Sequence, residues 1–181
     1  MSKVLFMNSA IRLALMATIS FGAFFLSAAP VHAQKINVIG EHKDWTSYSY
    51  NENGHKVCFI TSVPKKAEGK YKKRGDIYLI VSHRTGEKRW DEVNVQTGYA
   101  YKKDSEATLS VGKNRYKFFT TGDSAWAYDL GDDKKVINSM VKGSNLIVNG
   151  VSARGTKTKD TYSLRGFSAA YRSINQACGK K

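Results

Sequence analysis

Hydrophobic positions along most of the chain follow the two-residue period of β-strands. Ala107, Leu109 and Val111 alternate with polar Thr108 and Ser110, which is typical of a strand with one solvated face. Comparable segments, rich in β-branched and aromatic residues and separated by breaks rich in Gly, Asn or Lys, occur at 45–50, 57–63, 76–82, 92–96, 115–120, 146–151 and 157–164. Residues 57–60 and 77–81 are apolar on both faces, which predicts strands in the interior of a sheet.

Two further segments have the period of an α-helix. The first covers about 133–141, with Asp132 or Asp133 as its N-cap and Gly143 at its C-terminal end. The second covers about 167–178, and its apolar stripe consists of Phe167, Ala170, Tyr171, Ile174 and Cys178. The pattern therefore predicts a mainly β fold: an antiparallel β-sandwich or barrel of about eight or nine short strands with two short helices, one C-terminal.

The first 33 residues have the three parts of a secretory signal peptide. Lys3 and Arg12 supply the positive charge, residues 13–29 are uncharged and mostly apolar, and small residues precede a cleavage site after Ala33. The alternative is an uncleaved membrane anchor, but the apolar run is at the short limit for a membrane span. We therefore expect an exported protein whose mature chain is one domain, residues 34–181.

The chain contains two cysteines, Cys58 and Cys178. An exported protein matures where thiols oxidise, so an even number of cysteines predicts a disulfide bond. The helical stripe places Cys178 on the face that packs against the sheet, where a buried strand residue such as Cys58 can meet it. Two free buried thiols are the alternative.

The charge of the chain indicates the chemistry of its partners. The formal net charge is +14, which falls to +12 when the signal peptide removes Lys3 and Arg12. Such an excess favours an anionic component of the envelope or of a host surface, whether glycan, lipid or protein, and it is compatible with peripheral membrane contact. Export argues against nucleic acid as the partner.

The cationic residues are densest between positions 65 and 74. We predict an anion-binding site there, formed by Lys65, Lys66, Lys70, Tyr71, Lys72, Lys73 and Arg74. The alternative is a solvated surface loop whose lysines keep the protein soluble. Trp90, beside Lys88 and Arg89, is a further candidate contact residue if it faces outward, whereas Trp126 between two alanines is predicted to lie in the core.

Residues suited to catalysis are sparse in the mature sequence. It contains none of the hydrolase, metalloprotease or phosphate-loop motifs, and nothing in the sequence brings His83, Asp160 and Ser163 together as a triad. Glu41, His42 and Asp44 are too small a set to predict a metal site. We therefore predict no catalytic residues, no metal and no cofactor, and a binding protein rather than an enzyme.

Several short motifs occur in a recognisable order. They are Asp44-Trp45, Val57-Cys58-Phe59-Ile60, Arg74-Gly75-Asp76, Ala125-Trp126-Ala127, Ser152-Ala153-Arg154-Gly155-Thr156 and a closing segment from Asp160 to Ala170 before Cys178. In this order, after a signal peptide, the chain resembles the invasion-associated locus B family of Gram-negative, mainly alphaproteobacterial, exported proteins. The resemblance implies an envelope or surface role associated with host-cell invasion, an address in the periplasm, at the outer membrane or outside the cell, and a bond between the two cysteines. Periplasmic structural or chaperone-like binding of other envelope proteins and hydrolysis of an envelope polymer are the alternatives.

Overall fold

The computed structural model describes residues 34–180, so the predicted signal peptide lies outside the described residues. The strands are β1 (Asn37–His42), β2 (Trp45–Glu52), β3 (His55–Ser62), β4 (Lys66–Gly69), β5 (Tyr78–Arg84), β6 (Arg89–Gln96), β7 (Glu106–Val111), β8 (Asn114–Thr121), β9 (Ser124–Ala127), β10 (Asn145–Val151) and β11 (Lys157–Ser163). The helices are α1 (Leu130–Lys142) and α2 (Phe167–Ala177). Neither of these two helices is long and apolar enough to cross a membrane.

All the strands belong to one antiparallel sheet that is not closed. Its order is β1-β2-β3-β5-β6-β9-β8-β7-β10-β11-β4, so β1 and β4 are the two edges. A sheet of this size curls, and side chains from distant strands meet as a result. Trp45 Nε1 on β2 donates a hydrogen bond of 2.9 Å to the carbonyl oxygen of Ser163 on β11.

The inward-facing residues of the sheet and the apolar stripes of both helices form one core. Val81, Val93 and Leu109 from the strands, Val136 from α1 and Ile174 from α2 are all fully buried. The predicted mainly β class, the antiparallel pairing and the two helices are confirmed. The described residues form eleven strands rather than the predicted eight or nine.

The three additional strands have weak hydrophobic patterns. β1 and β4 are the edges of the sheet and are mostly exposed, so few of their positions require an apolar side chain. The third, β9, has only four residues. Part of the cationic segment 65–74 is a strand and not a loop, since residues 66–69 form β4 and pair with β11.

The first helix begins earlier than predicted. Asp129 is its N-cap, and its side chain accepts a hydrogen bond of 2.8 Å from the backbone N–H of Asp132. The acidic residues expected to cap the helix therefore lie inside its first turn, where their charge is favourable. Trp126 is also placed differently from the prediction, since its side chain lies half-buried on the outer face of the sheet.

A disulfide bond joins strand β3 to the C-terminal end of helix α2. Cys58 on β3 and Cys178 at the end of α2 are 120 residues apart in sequence, and their Cα atoms are 6.0 Å apart. Both residues are buried. In the chain-entropy model, closing a loop of this length stabilises the fold by about 4–5 kcal/mol.

Candidate anion-binding cleft

The cationic segment is anchored by one buried residue, Arg74. Its guanidinium donates two hydrogen bonds, of 2.7 and 2.5 Å, to the two carboxylate oxygens of Asp160 on β11. Its Nε donates a third, of 2.6 Å, to the carbonyl oxygen of Thr97. The Arg74 side chain is 4% exposed and that of Asp160 is 0% exposed. Arg74 is therefore neutralised inside the protein and holds the segment in place.

Aromatic rings and close backbone contact complete this anchor. The Arg74 guanidinium carbon lies 5.5 Å from the ring centroid of Tyr71 and 4.9 Å from that of Tyr99. The next residue, Gly75, donates its N–H to the carbonyl oxygen of Gly98 at 2.9 Å. A Cβ at Gly98 would lie only 2.4 Å from the Gly75 oxygen, so only glycine permits this approach.

Two more of the predicted contact residues are used in ion pairs. Lys65 Nζ lies 2.6 Å from Asp44, and its hydrogen bond lowers the pKa of that carboxyl. Lys66 Nζ lies 3.5 Å from Glu68. Both pairs are at the surface, where such contacts add little stability, but they reduce the charge that these lysines offer to a ligand.

The remaining three lysines, Lys70, Lys72 and Lys73, are exposed and have no carboxylate within 4.0 Å among residues 34–180. They lie at a cleft of about 670 Å³ whose opposite wall is the turn between β10 and β11. Arg154 in that turn extends the cationic lining, and Lys157 lines an adjoining depression together with Lys70 and Arg154. Ser152, Thr156 and Thr158 also line the cleft.

The sequence could not identify Arg154 as part of this lining. It lies 80 residues after Arg74 along the chain, and the two are brought together by the pairing of β4 with β11. The only local signal is an arginine beside Gly155 in a turn, which many exposed turns share. The cleft is therefore a product of strand order rather than of a single cationic segment.

Trp90 lies at the other end of β6 from the cleft. β6 begins at Arg89, and the cleft is reached beyond Gln96, where Gly98 and Tyr99 follow. The Trp90 side chain is half-buried and its ring packs edge-on against His83 with centroids 5.4 Å apart. The structure thus separates Trp90 from the predicted cationic residues.

His83 is part of a polar network beneath the second helix. Its Nδ1 accepts a hydrogen bond of 3.1 Å from the backbone N–H of Asp91, so its Nε2 donates to Asn175 Oδ1 at 2.7 Å. Burial lowers the pKa of the imidazole, which is fully buried. Asp160 is bonded to Arg74, so the imagined triad of His83, Asp160 and Ser163 is not assembled.

Fold and cleft together define a class of protein: a disulfide-bonded antiparallel-sheet domain with a cationic surface cleft. The model of the family described as Invasion associated locus B (IalB) protein matches residues 45–175. The chain belongs to this family.

A solved structure has the same fold. It is described as invasion associated protein b from Bartonella henselae, and it matches with a TM-score of 0.55 and 16% sequence identity. The match covers 80% of this chain and 98% of that one. At this identity the likeness shows the fold alone. No curated protein sequence matches the chain.

Proposed function

We propose that this invasion-associated protein is exported and acts by binding, holding an anionic glycan or lipid of the envelope or of a host surface in its cationic cleft. The observation that carries the proposal is the grouping of Lys70, Lys72 and Lys73 with Arg154 at one cleft. These cations come from two separate parts of the chain, and the three lysines have no carboxylate partner in the part of the chain that the structure describes. The family membership supports the association with invasion, and the disulfide supports maturation in an oxidising compartment.

Rigidity is the second argument for this cleft. A flexible lysine-rich loop would lose conformational entropy on binding, which lowers affinity. Here the bidentate bond between Arg74 and Asp160 and the contact between Gly75 and Gly98 already fix the C-terminal end of the segment. The lysines are thus presented from a backbone that is ordered before the ligand arrives.

Charge reversal tests this proposal. The variant K72E/K73E should bind a sulfated glycan, or vesicles rich in phosphatidylglycerol, at least about tenfold more weakly than the wild type. Binding by the wild type should weaken steeply with added salt, because exposed charges are screened. Glycan binding is measured by calorimetry and lipid binding by vesicle sedimentation, so the two arms separate the two sources of negative charge.

The matched control is K113E/R115E, which changes the net charge equally at the hairpin between β7 and β8. Its affinity for the glycan or vesicles should equal that of the wild type when the salt concentration is lowered to offset its smaller net charge. Equal loss in both double variants would show that only the overall charge matters. Binding that is absent, or independent of salt, would contradict the proposal.

One observation favours the alternative of binding other envelope proteins. The edge strand β1 exposes Val38 by 61%, and the preceding Ile36 is exposed by 57%. An unpaired apolar edge is a place where another chain can add a strand. This alternative predicts envelope proteins that co-purify equally with the wild type and with K72E/K73E.

A further inference from the structure

A second groove lies beside the first half of β6, at the opposite end from the cationic cleft. β9 pairs with β6 through Asn94, Val95 and Gln96, so within residues 34–180 the earlier part of β6 has no strand partner on that side. The backbone N–H of Val93 donates instead to Asp133 Oδ1 at 2.9 Å. The groove has a volume of about 580 Å³, and Val93 and Asp133 both line it.

Aromatic side chains form one wall of this groove. Phe119 and Trp126 are cross-strand neighbours on the outer face of the sheet, and both line the groove with Tyr128. The ring centroids of Phe119 and Tyr128 are 5.6 Å apart. Phe119 is 38% exposed and Tyr128 is 55% exposed, so their rings are accessible to a ligand.

The other lining residues make the groove acidic. Its two arginines are already paired: Arg84 lies 2.8 Å from Glu52, and Arg89 lies 2.8 Å from Glu92. Asp129 and Asp133 line the groove without a cationic partner within 4.0 Å among residues 34–180. These carboxylates outweigh the partial positive charge, about half an elementary charge, at the N-terminus of α1.

Asp133 is the most unusual of these groups. It is 5% exposed, and one described hydrogen bond, from the Val93 N–H, reaches its carboxylate. Burial raises its pKa to about 7, and the nearby charges of Glu92, Asp91 and Asp129 act in the same direction. A cation in the groove would relieve this repulsion.

We propose that this acidic aromatic groove binds a quaternary ammonium group. Aromatic ring faces attract cations, and the attraction is strongest where the cation is poorly hydrated. A trimethylammonium group carries no N–H, so it requires no hydrogen-bond acceptors and loses little hydration in such a groove. The carboxylates of Asp129 and Asp133 provide the complementary charge in a protein whose net charge is +14.

The test uses choline as the probe, titrated into the protein with its disulfide intact at about pH 8, where Asp133 is mostly ionised. Binding is followed by calorimetry and by backbone amide chemical shifts. We expect saturable binding, with shifts confined to the groove. The dissociation constant should rise about tenfold in Y128A and in D133N. D133N keeps an oxygen to accept the Val93 N–H, so loss of binding would not reflect loss of that bond.

The control variant is V63S, which removes an apolar side chain that is 53% exposed and does not line the groove. It should bind choline like the wild type, and K72E/K73E should do so as well, which separates this site from the cationic cleft. The neutral isostere of choline, in which a tert-butyl group replaces trimethylammonium, should bind at least about tenfold more weakly.

Four results would overturn the proposal. Choline could fail to bind, or the neutral isostere could bind equally well, which would make the groove merely apolar. n-Butylammonium could bind more tightly than choline, which would point to a lysine side chain as the ligand. A dimer dissociated by Y128A would show that a second copy of the chain covers the groove.

Discussion

The two ends of β6 carry candidate binding surfaces of opposite charge, built in different ways. At the C-terminal end, the ion pair between Arg74 and Asp160 is buried and the lysines around it are exposed. At the N-terminal end, the arginines are paired at the surface, and the buried group is a carboxyl, Asp133, with no cation within 4.0 Å among the described residues. The cationic cleft therefore has a neutral buried pair and exposed charged lysines. In the acidic groove, the buried residue is itself an ionisable carboxyl group.

This difference separates structural charges from charges that a ligand can use. In a strongly basic protein, lysines around a cleft are expected from composition alone. The evidence for ligand binding at the cationic cleft is therefore its rigid backbone and the lack of carboxylates near its three lysines among residues 34–180. An acidic groove is contrary to the overall composition. Its carboxylates therefore give the stronger indication of a specific ligand, although fewer of its charges lack an ion-pair partner among residues 34–180.

The largest effect is expected from breaking the buried pair. The variant D160N leaves the Arg74 guanidinium buried without its partner charge, which should lower the free energy of unfolding by about 3–5 kcal/mol. Urea denaturation measures the change. The double variant R74M/D160L removes both charges and should cost much less. If D160N were within about 1 kcal/mol of the wild type, the pair would not anchor the cationic segment.

At Asp133 we expect a smaller effect of opposite sign, because removal of this carboxyl group should raise the free energy of unfolding. Its pKa is about 7 in the folded protein, raised from 3.8 by burial, so the folded state retains a proton that the unfolded state has released. The contribution of Asp133 to the free energy of unfolding should therefore be greatest below about pH 4 and should decrease as the pH rises towards 7. The variant D133N should be more stable than the wild type at pH 8, by at most about 4 kcal/mol, and nearly equal to it at acidic pH. A pH-independent difference would contradict this assignment.

The smallest effect is expected at His83, where opposing influences act. Burial lowers the pKa of this imidazole, whereas the hydrogen bond to Asn175 and the charge of Asp91 act in the other direction. Because the folded pKa is below the unfolded value of 6.5, stability from this group is present above pH 6.5 and is lost as the pH falls below it. Nuclear magnetic resonance titration should find His83 neutral at pH 6.5. A midpoint above that value would show that Asp91 dominates.

The sequence predicted the fold where burial constrains it. Residues 77–81 were expected in the interior of the sheet, and Leu79 and Val81 of β5 are fully buried there. The stripe from Phe167 to Ile174 likewise corresponds to the buried face of α2. The edge strands β1 and β4 were missed because exposed positions show no such constraint.

The candidate sites were less predictable because they depend on contacts between distant residues. Lysine density located the segment 65–74, but it could not distinguish Arg74, which is buried against Asp160, from Lys72, which is exposed. Small flanking residues suggested a core position for Trp126, yet it lines a groove that exists because β9 ends early. Both outcomes depend on strand order, which local patterns do not specify.

The bond between Cys58 and Cys178 has a consequence for cleavage by proteases. It closes a covalent ring from Cys58 within β3 to Cys178 after α2, and both candidate binding surfaces lie within that ring. A trypsin cut after exposed Lys70, Lys72 or Lys73 would open the ring without releasing a fragment. The nicked chain would keep its mass on a gel run without reductant and separate into two pieces only after the thiols were reduced.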